Sequence, residues 1–248
     1  MDLKILVLSS LLHDTGKFAQ RAKRPYTKEL QGENLPVYNG KYSHWHALYS
    51  DYFIENDLPL PDELENLRSS IARIASIHHR PVEENLKEMC VSIADRLSSG
   101  ADRLENKDDE SKTGFRESRL VSIFDEIELR NHTFEPPGRY FYRLAGLDAK
   151  DDIAFPVKDA ASGPASEYQT LFDKFYKELA KLNVKNGFNL YLENLISLLE
   201  QFTWAIPSSS YKTLSDIPLF DHSISTAGIA QALFLYHKST GTVPVFKE

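Results

Sequence analysis

The residues best suited to chemistry in this 248-residue chain are its eight histidines, most of which stand near an aspartate or another histidine. Neutral imidazole and carboxylate groups suit divalent metals such as manganese, iron, nickel and zinc. The alternative for any single histidine is that it caps carbonyl groups at a helix C-terminus and complements the helix dipole. We predict a multi-histidine metal centre from the whole set, which comprises His13–Asp14, His44, His46, His78–His79 and Asp221–His222.

The pair His13–Asp14 follows a predicted apolar helix over Leu3–Leu12 and lies in the segment Leu-Leu-His-Asp-Thr-Gly-Lys. Neighbouring helical side chains point about 100° apart, so both can hold one metal, or the carboxylate can bridge to a second. The segment resembles the HD phosphohydrolase superfamily. That resemblance implies that Lys17 lies beside the metals and stabilises phosphate charge. The alternative is a solvated surface lysine.

Three further segments resemble ligand-bearing elements of the same superfamily. The first offers His46, with His44 as the alternative ligand one helical face away. The second, His78–His79, resembles the His-His element of CRISPR-associated HD nucleases. The third resembles the helix that supplies a late aspartate, here Asp95. Its neighbours are apolar, and a buried carboxylate needs a cation or hydrogen-bond partners.

The first ligand histidine of most HD proteins lies upstream of the His-Asp pair, but no histidine precedes His13. The segment Leu219–Leu233, with His222 near its start, resembles that missing helix. A circular permutation of this kind is similar to the large subunit of type III CRISPR effector complexes. The Gly-Gly-Asp-Asp tetrapeptide of that family's cyclase is absent. We therefore interpret the chain as an isolated N-terminal nuclease domain or a split subunit without cyclase activity.

The expected fold is mainly α: a circularly permuted HD-superfamily helical bundle with a small irregular or short-strand insertion. We expect one domain over residues 1–248, with the motif-bearing helices in 1–104, the insertion in 105–165 and the completing helices in 166–240. Apolar periodicity predicts helices over Leu3–Leu12, Ser43–Asn56, Pro61–His79, Val82–Ser99, Ser166–Leu182, Leu190–Trp204 and Ser223–His237. Short strands are expected at Leu120–Leu129 and Tyr140–Leu144, a loop at Thr27–Lys41, a mobile acidic loop at Asp102–Glu117 and a turn at Pro136–Gly138.

The resemblance implies a metal-dependent deoxyribonuclease that hydrolyses single-stranded DNA in antiviral defence. It implies two divalent transition metal ions, manganese or nickel, with magnesium as an alternative. The implied partners are single-stranded DNA, other type III effector subunits and, through the complex, guide RNA. One ion would be held mainly by His222, His13, Asp14 and Asp95, and the other by Asp14, His46, His78 and His79, unless one of the last two contacts phosphate. His13, Asp14 and Lys17 would be catalytic.

Two other functions fit the same residues. One is an HD phosphohydrolase of nucleotides or cyclic dinucleotides. The other is a docking module with a vestigial metal site, whose C-terminal helices hold partner subunits.

A basic stretch next to the motif is a candidate nucleic-acid contact. Thr15–Lys28 has no acidic residue and interleaves two aromatic residues with basic ones, which suits a single-stranded backbone with stacked bases. The basic residues predicted to contact nucleic acid are Lys17, Arg21, Lys23 and Arg24, interleaved with Phe18 and Tyr26. The alternative is a solubilising surface loop. Arg139–Arg143 is a weaker candidate of the same kind.

Composition limits the remaining classes of protein. A net charge of −7 argues against indiscriminate binding of duplex DNA. The single cysteine, Cys90, excludes an internal disulfide and a thiolate metal cage, which favours a reducing cytoplasm. No apolar run approaches the roughly 18 residues that span a bilayer. We therefore expect a soluble, unprocessed protein with no membrane partner.

Overall fold

The computed structural model describes residues 1–100, 118–126, 140–158, 166–209 and 215–246. These residues are mainly α-helical, which confirms the predicted fold class. The helices are α1 (Asp2–Leu12), α2 (Thr15–Arg21), α3 (Gln31–Asn34), α4 (His46–Tyr52), α5 (Asp62–Glu65), α6 (Arg68–Ser76), α7 (Leu86–Ser99), α8 (Asp151–Ala154), α9 (Ser166–Leu179), α10 (Phe188–Thr203) and α11 (Leu219–Thr240). A π-helical turn, Phe53–Asp57, extends α4, and 3₁₀ turns lie at Lys28–Leu30 and Ile123–Glu126.

Helix α1 is buried along most of its length because its sequence is apolar on nearly every side. All residues from Ile5 to Leu12 are buried. It packs against α6, α7 and α11. The hydroxyl of Ser9 donates to the carbonyl of Ile71 and that of Ser10 to the carbonyl of Leu6, so both polar side chains are satisfied inside the core. The residue that follows α1, His13, is thereby fixed in the interior.

The C-terminal helices share one hydrophobic core with the N-terminal ones. The ring of Phe18 in α2 lies 4.9 Å from that of Phe172 and 5.7 Å from that of Phe175, both in α9. The hydroxyl of Tyr191 in α10 donates to the carbonyl of Pro59. Elements more than 100 residues apart in sequence are therefore held together in one core.

Several helix boundaries differ from the sequence expectation for local reasons. The helix expected over Pro61–His79 is interrupted between α5 and α6, and α6 ends at Ser76. Helix α7 begins at Leu86 because the side chain of Asn85 accepts hydrogen bonds from the backbone amides of Lys87 and Glu88.

The loop expected at Thr27–Lys41 contains α3 and a two-stranded antiparallel hairpin, β1 (Val37–Tyr38) and β2 (Lys41–Tyr42). Its two-residue turn, Asn39–Gly40, has φ values of 49° and 73°, as a type I′ hairpin turn requires. We refer to residues 37–42 as the hairpin. It leads through Ser43 and His44 into α4.

The strands expected in the middle of the chain are isolated bridges in the described residues. Val121 pairs with Phe141, which also pairs with Val157. The 3₁₀ turn at Ile123–Glu126 interrupts the first expected strand. The expected loop Asp102–Glu117 and the turn Pro136–Gly138 lie outside the described residues. In the part of the chain that the structure describes, no helix has the length and apolar character needed to cross a membrane.

Candidate metal centre

The seven predicted metal ligands converge where several helices meet. They come from the break between α1 and α2, the first residue of α4, the turn after α6, the C-terminal half of α7 and the first turn of α11. They form two clusters. The first cluster is His13, Asp14, Asp95 and His222, and the second cluster is His46, His78 and His79.

The first cluster joins residues from both ends of the chain. The Nε2 atoms of His13 and His222 lie 3.3 Å apart. The Nε2 atom of His222 lies 3.1 Å from Asp14 Oδ2 and 3.2 Å from Asp95 Oδ1, and His13 Nε2 lies 3.4 and 3.5 Å from the same two oxygens. All four residues are buried. Two imidazole nitrogens and two carboxylate oxygens therefore face one point.

The second cluster lies on the other side of Asp14. His46 Nε2 is 3.0 Å from His79 Nε2 and 3.1 Å from Asp14 Oδ1. His78 Nε2 is 3.9 Å from the same carboxylate oxygen. Asp14 therefore directs Oδ2 to the first cluster and Oδ1 to the second.

Backbone carbonyls fix the orientation of two ligand rings. His13 Nδ1 lies 2.7 Å from the carbonyl of Ser10, and His78 Nδ1 lies 2.6 Å from that of Ala75. Since a carbonyl only accepts, each Nδ1 must carry the proton and donate it. In the neutral ring, the Nε2 lone pair is then free to bind a metal.

The carboxylates of the first cluster favour the protonated form of its histidines. Burial alone would lower the pKa of His13, but the carboxylates of Asp14 and Asp95 outweigh burial and raise that pKa to about 10. The same carboxylates raise the pKa of His222 against the effect of burial. Burial also opposes ionisation of Asp14, but Lys17, His13 and His46 hold the pKa of that carboxyl well below its usual value.

The second cluster has the opposite electrostatic character. Burial and the neighbouring charge of His13 lower the pKa of His78 to about 3. Burial is also the main cause of the lowered pKa values of His46 and His79. These rings are therefore neutral at pH 7, the form that binds metals.

The donor atoms fit divalent cations. Two ligand atoms about 2.1 Å from one ion are about 3.0 to 3.4 Å apart in octahedral or tetrahedral geometry. The closest donor pairs, 3.0 Å for His46 with His79 and 3.1 Å for His222 with Asp14, agree with that spacing. Among the described residues, the buried atoms Asp14 Oδ1 and His78 Nε2 find no hydrogen-bond partner. A cation would satisfy both atoms, since unpaired buried polar groups are costly.

Gly16 allows α2 and α4 to approach closely. Its amide donates to Ser50 Oγ at 2.9 Å, and that hydroxyl donates to the carbonyl of His13 at 2.6 Å. A Cβ atom at Gly16 would lie 1.9 Å from the carbonyl oxygen of His46. The close approach therefore positions His46 relative to Asp14.

The predicted nucleic-acid contacts are not equally available to a substrate. Lys17 Nζ lies 2.5 Å from Asp14 Oδ2, beside the metal centre, and Lys23 is exposed. Arg24 stacks on Phe172 and Tyr176 in α9, with part of its side chain exposed. The expectation for Arg21 is corrected, because that side chain is buried and donates to the carbonyl of Pro207.

The aromatic residues expected to stack with bases are also corrected. Phe18 is fully buried in the core. Tyr26 is half-buried, and its ring packs against those of Tyr49 and Trp45. Neither ring is presented beside the metal centre as a free face.

Two further residues lie against the clusters. His44, the alternative ligand to His46, belongs to neither cluster. Its ring packs 3.9 Å from that of His79, and its backbone has a φ of 58°. Ser98 Oγ lies 3.0 Å from His222 Nδ1 and orients that ring. The only signal for Ser98 is its position one helical turn after Asp95, which any serine in a helix can occupy.

Comparison with known families agrees with the geometry. The family described as HD domain matches residues 1–107. HD domains bind divalent metal, in agreement with the two clusters. The matched region contains six of the seven ligands, and α11 supplies the seventh, His222, from outside it.

Curated relatives carry the name "CRISPR system single-strand-specific deoxyribonuclease Cas10/Csm1 (subtype III-A)". The Methanocaldococcus jannaschii protein is 30% identical over 244 residues, which cover 92% of this chain and 28% of that protein. The Enterococcus italicus protein is 26% identical over 260 residues, which cover 98% of this chain and 30% of that protein. The chain thus spans less than a third of the length of these relatives.

Solved structures show the same fold. A Csm1-Csm4 cassette in complex with cA4 matches with a TM-score of 0.56 and 21% identity, over 98% of this chain and 29% of that chain. A Csm1-Csm4 cassette in complex with one ATP matches with a TM-score of 0.57 and 22% identity. The match covers 98% of this chain and 28% of that chain. The predicted resemblance of this chain to the type III large subunit is confirmed.

Proposed function

We propose that this chain is a metal-dependent HD nuclease that hydrolyses phosphodiester bonds of single-stranded DNA. The observation that carries the proposal is the position of Asp14, whose Oδ2 lies 3.1 Å from His222 and whose Oδ1 lies 3.1 Å from His46. One carboxylate can thus serve two adjacent metal ions. The printed names of the curated relatives support single-stranded DNA as the substrate.

The proposed division of labour follows the two clusters. The first cluster would hold one divalent ion, the second cluster would hold the other, and Asp14 would contribute to both. Bound manganese or nickel, or alternatively magnesium, would supply an activated water and neutralise the scissile phosphate. Backbone carbonyls accept from Nδ1 of His13 and His78, so each ring would bind a metal through Nε2, and at His13 the metal would first displace the Nε2 proton. The ammonium group of Lys17, partly exposed beside Asp14, would stabilise charge on the non-bridging oxygens.

The biological setting is part of the proposal. We infer that the chain acts in type III CRISPR antiviral defence in the cytoplasm, with other effector subunits and, through them, guide RNA. We also infer a single HD domain over residues 1–248. Supporting this, α11 packs against both α1 and α7, and residues from α1 to α11 share one core.

The test is degradation of labelled single-stranded and duplex DNA and RNA, and of mononucleotides, with manganese, nickel, magnesium or chelator. We expect metal-dependent loss of single-stranded DNA. The Asp14→Asn variant should lose at least about 100-fold in rate, since even partners that only orient metal ligands are worth 10- to 100-fold. Asp148→Asn, which changes an exposed aspartate paired with Lys150, is the matched control.

Three results would count against the proposal. Cleavage by Asp14→Asn at the wild-type rate would remove the metal-bridging role of Asp14. Hydrolysis of mononucleotides without cleavage of strands would favour the phosphohydrolase alternative. Absence of any hydrolysis, together with absence of bound metal, would favour the docking module.

A further inference from the structure

The hairpin exposes an aromatic ring and a cation on one face. The side chain of Tyr38 is 61% exposed. The strand register pairs Tyr38 with Lys41, and directly opposed residues of a hairpin lie on the same face. Tyr42 lies on the opposite face, where its hydroxyl approaches Gly32. Within the described residues, most of the Tyr38 side chain stays uncovered, although a large aromatic side chain gains from burial.

A series of rings joins Tyr38 to the second cluster. The ring centroid of Tyr38 lies 6.1 Å from that of His44, which in turn lies 3.9 Å from that of His79. His44 holds this place with a φ of 58°, a backbone conformation that is costly for a residue with a side chain. Such outliers cluster at functional sites. A hydrogen bond between Ser43 Oγ and His44 Nδ1, at 2.8 Å, further fixes the ring.

We propose that the hairpin is a base-stacking site, in which Tyr38 stacks on one base of a single strand and Lys41 contacts the adjoining phosphate. This inference rests on the proposed function and names where the strand is held beside the metal centre. An exposed aromatic face next to a cation is the usual means of binding a single strand without sequence preference. Bases in a duplex are already stacked on their neighbours, so the site favours an unpaired strand.

The test measures stacking without hydrolysis. A short oligothymidylate that carries one 2-aminopurine is titrated with the full chain in the presence of chelator, and both anisotropy and 2-aminopurine emission are followed. Stacking should quench the emission. Tyr38→Ala should bind about 10-fold more weakly and lose the quenching, because one stacked base is worth about 5- to 150-fold in affinity. Tyr38→Phe, which keeps the ring, should behave as the wild type.

The matched control is Tyr236→Ala. Tyr236 is 63% exposed, and it lies fourteen residues after His222 on the same helix, about 21 Å along its axis. Affinity and quenching should be unchanged in that variant. Lys41→Ala should weaken binding and reduce its salt dependence, since one phosphate contact is removed.

The proposal is overturned if Tyr38→Ala binds and quenches like the wild type, or if Tyr236→Ala is equally impaired. It is also overturned if a strand of abasic sites binds as tightly as oligothymidylate. Because these measurements need no bond cleavage, a protein that stacks bases but cuts no strand would contradict the nuclease proposal alone.

Discussion

At the scale of single residues, the two clusters differ in their protons. Asp14 and Asp95 raise the pKa values of His13 and His222, whereas burial lowers those of His46, His78 and His79. A metal displaces a proton from a charged ring but not from a neutral one. The two ions should therefore respond differently to pH.

We expect metal binding at pH 7 to release the Nε2 proton of His13, in the first cluster. Because the pKa of His13 is raised to about 10, this ring is protonated at pH 7, and metal affinity should rise as the pH increases towards that value. The measurement is isothermal titration with manganese in buffers of different ionisation enthalpy. A binding heat that does not depend on the buffer would contradict the assignment.

The residues of the two clusters could be predicted from the sequence because short motifs carry them, whereas the exposure of the basic residues could not. His-Asp, His-His and the late aspartate are recognised from residue types in adjacent positions, whatever their surroundings. Arg21 is buried because its side chain contacts the carbonyl of Pro207 and the ring of Tyr168, two residues that are far away in sequence. Charge patterning in one segment cannot show that another segment covers it.

At the scale of elements, the crossing of α2 and α4 is the most constrained contact near the metal centre. Gly16→Ala should destabilise the protein by about 3 kcal/mol, since overpacking against backbone forces the helices apart. It should also weaken metal binding, because the carbonyl that the new Cβ would meet belongs to His46. Urea unfolding and metal content of the purified variant measure the two effects.

The matched control for Gly16 is Gly228, an exposed helical glycine in α11. A Cβ at Gly228 meets no atom within 4 Å. Gly228→Ala should therefore stabilise the protein by about 0.5 to 1 kcal/mol, through helix propensity and the loss of unfolded-state entropy. Equal stability of the two variants would show that α2 and α4 are not tightly packed at Gly16.

Helices were easier to predict than their interruptions. The periodicity of α9 and α10 reflects burial of one face, which sequence spacing records directly. The break between α5 and α6 and the hairpin depend on single-residue conformations. Of these, only the Asn-Gly turn at residues 39–40 carried a recognisable signal, and the loop prediction did not use it.

At the scale of the whole molecule, α11 completes the metal centre from the far end of the chain. His222→Ala should lose the ion of the first cluster and the hydrolytic activity together, while it retains the fold through the rest of the helix. His237→Ala is the control. His237 lies about 22 Å from His222 along the axis of α11, and its ring hydrogen-bonds to Thr242. Metal analysis of both variants checks the prediction, and two ions in purified His222→Ala would contradict it.

The same arrangement has a consequence for synthesis of the protein. Translation runs from the N-terminus, so His13, Asp14 and Asp95 are made long before His222. A nascent or prematurely ended chain that lacks α11 therefore has an incomplete first cluster. If the metal centre cuts DNA as proposed, chains that stop early are inactive, and the host chromosome is spared from unfinished copies of the enzyme.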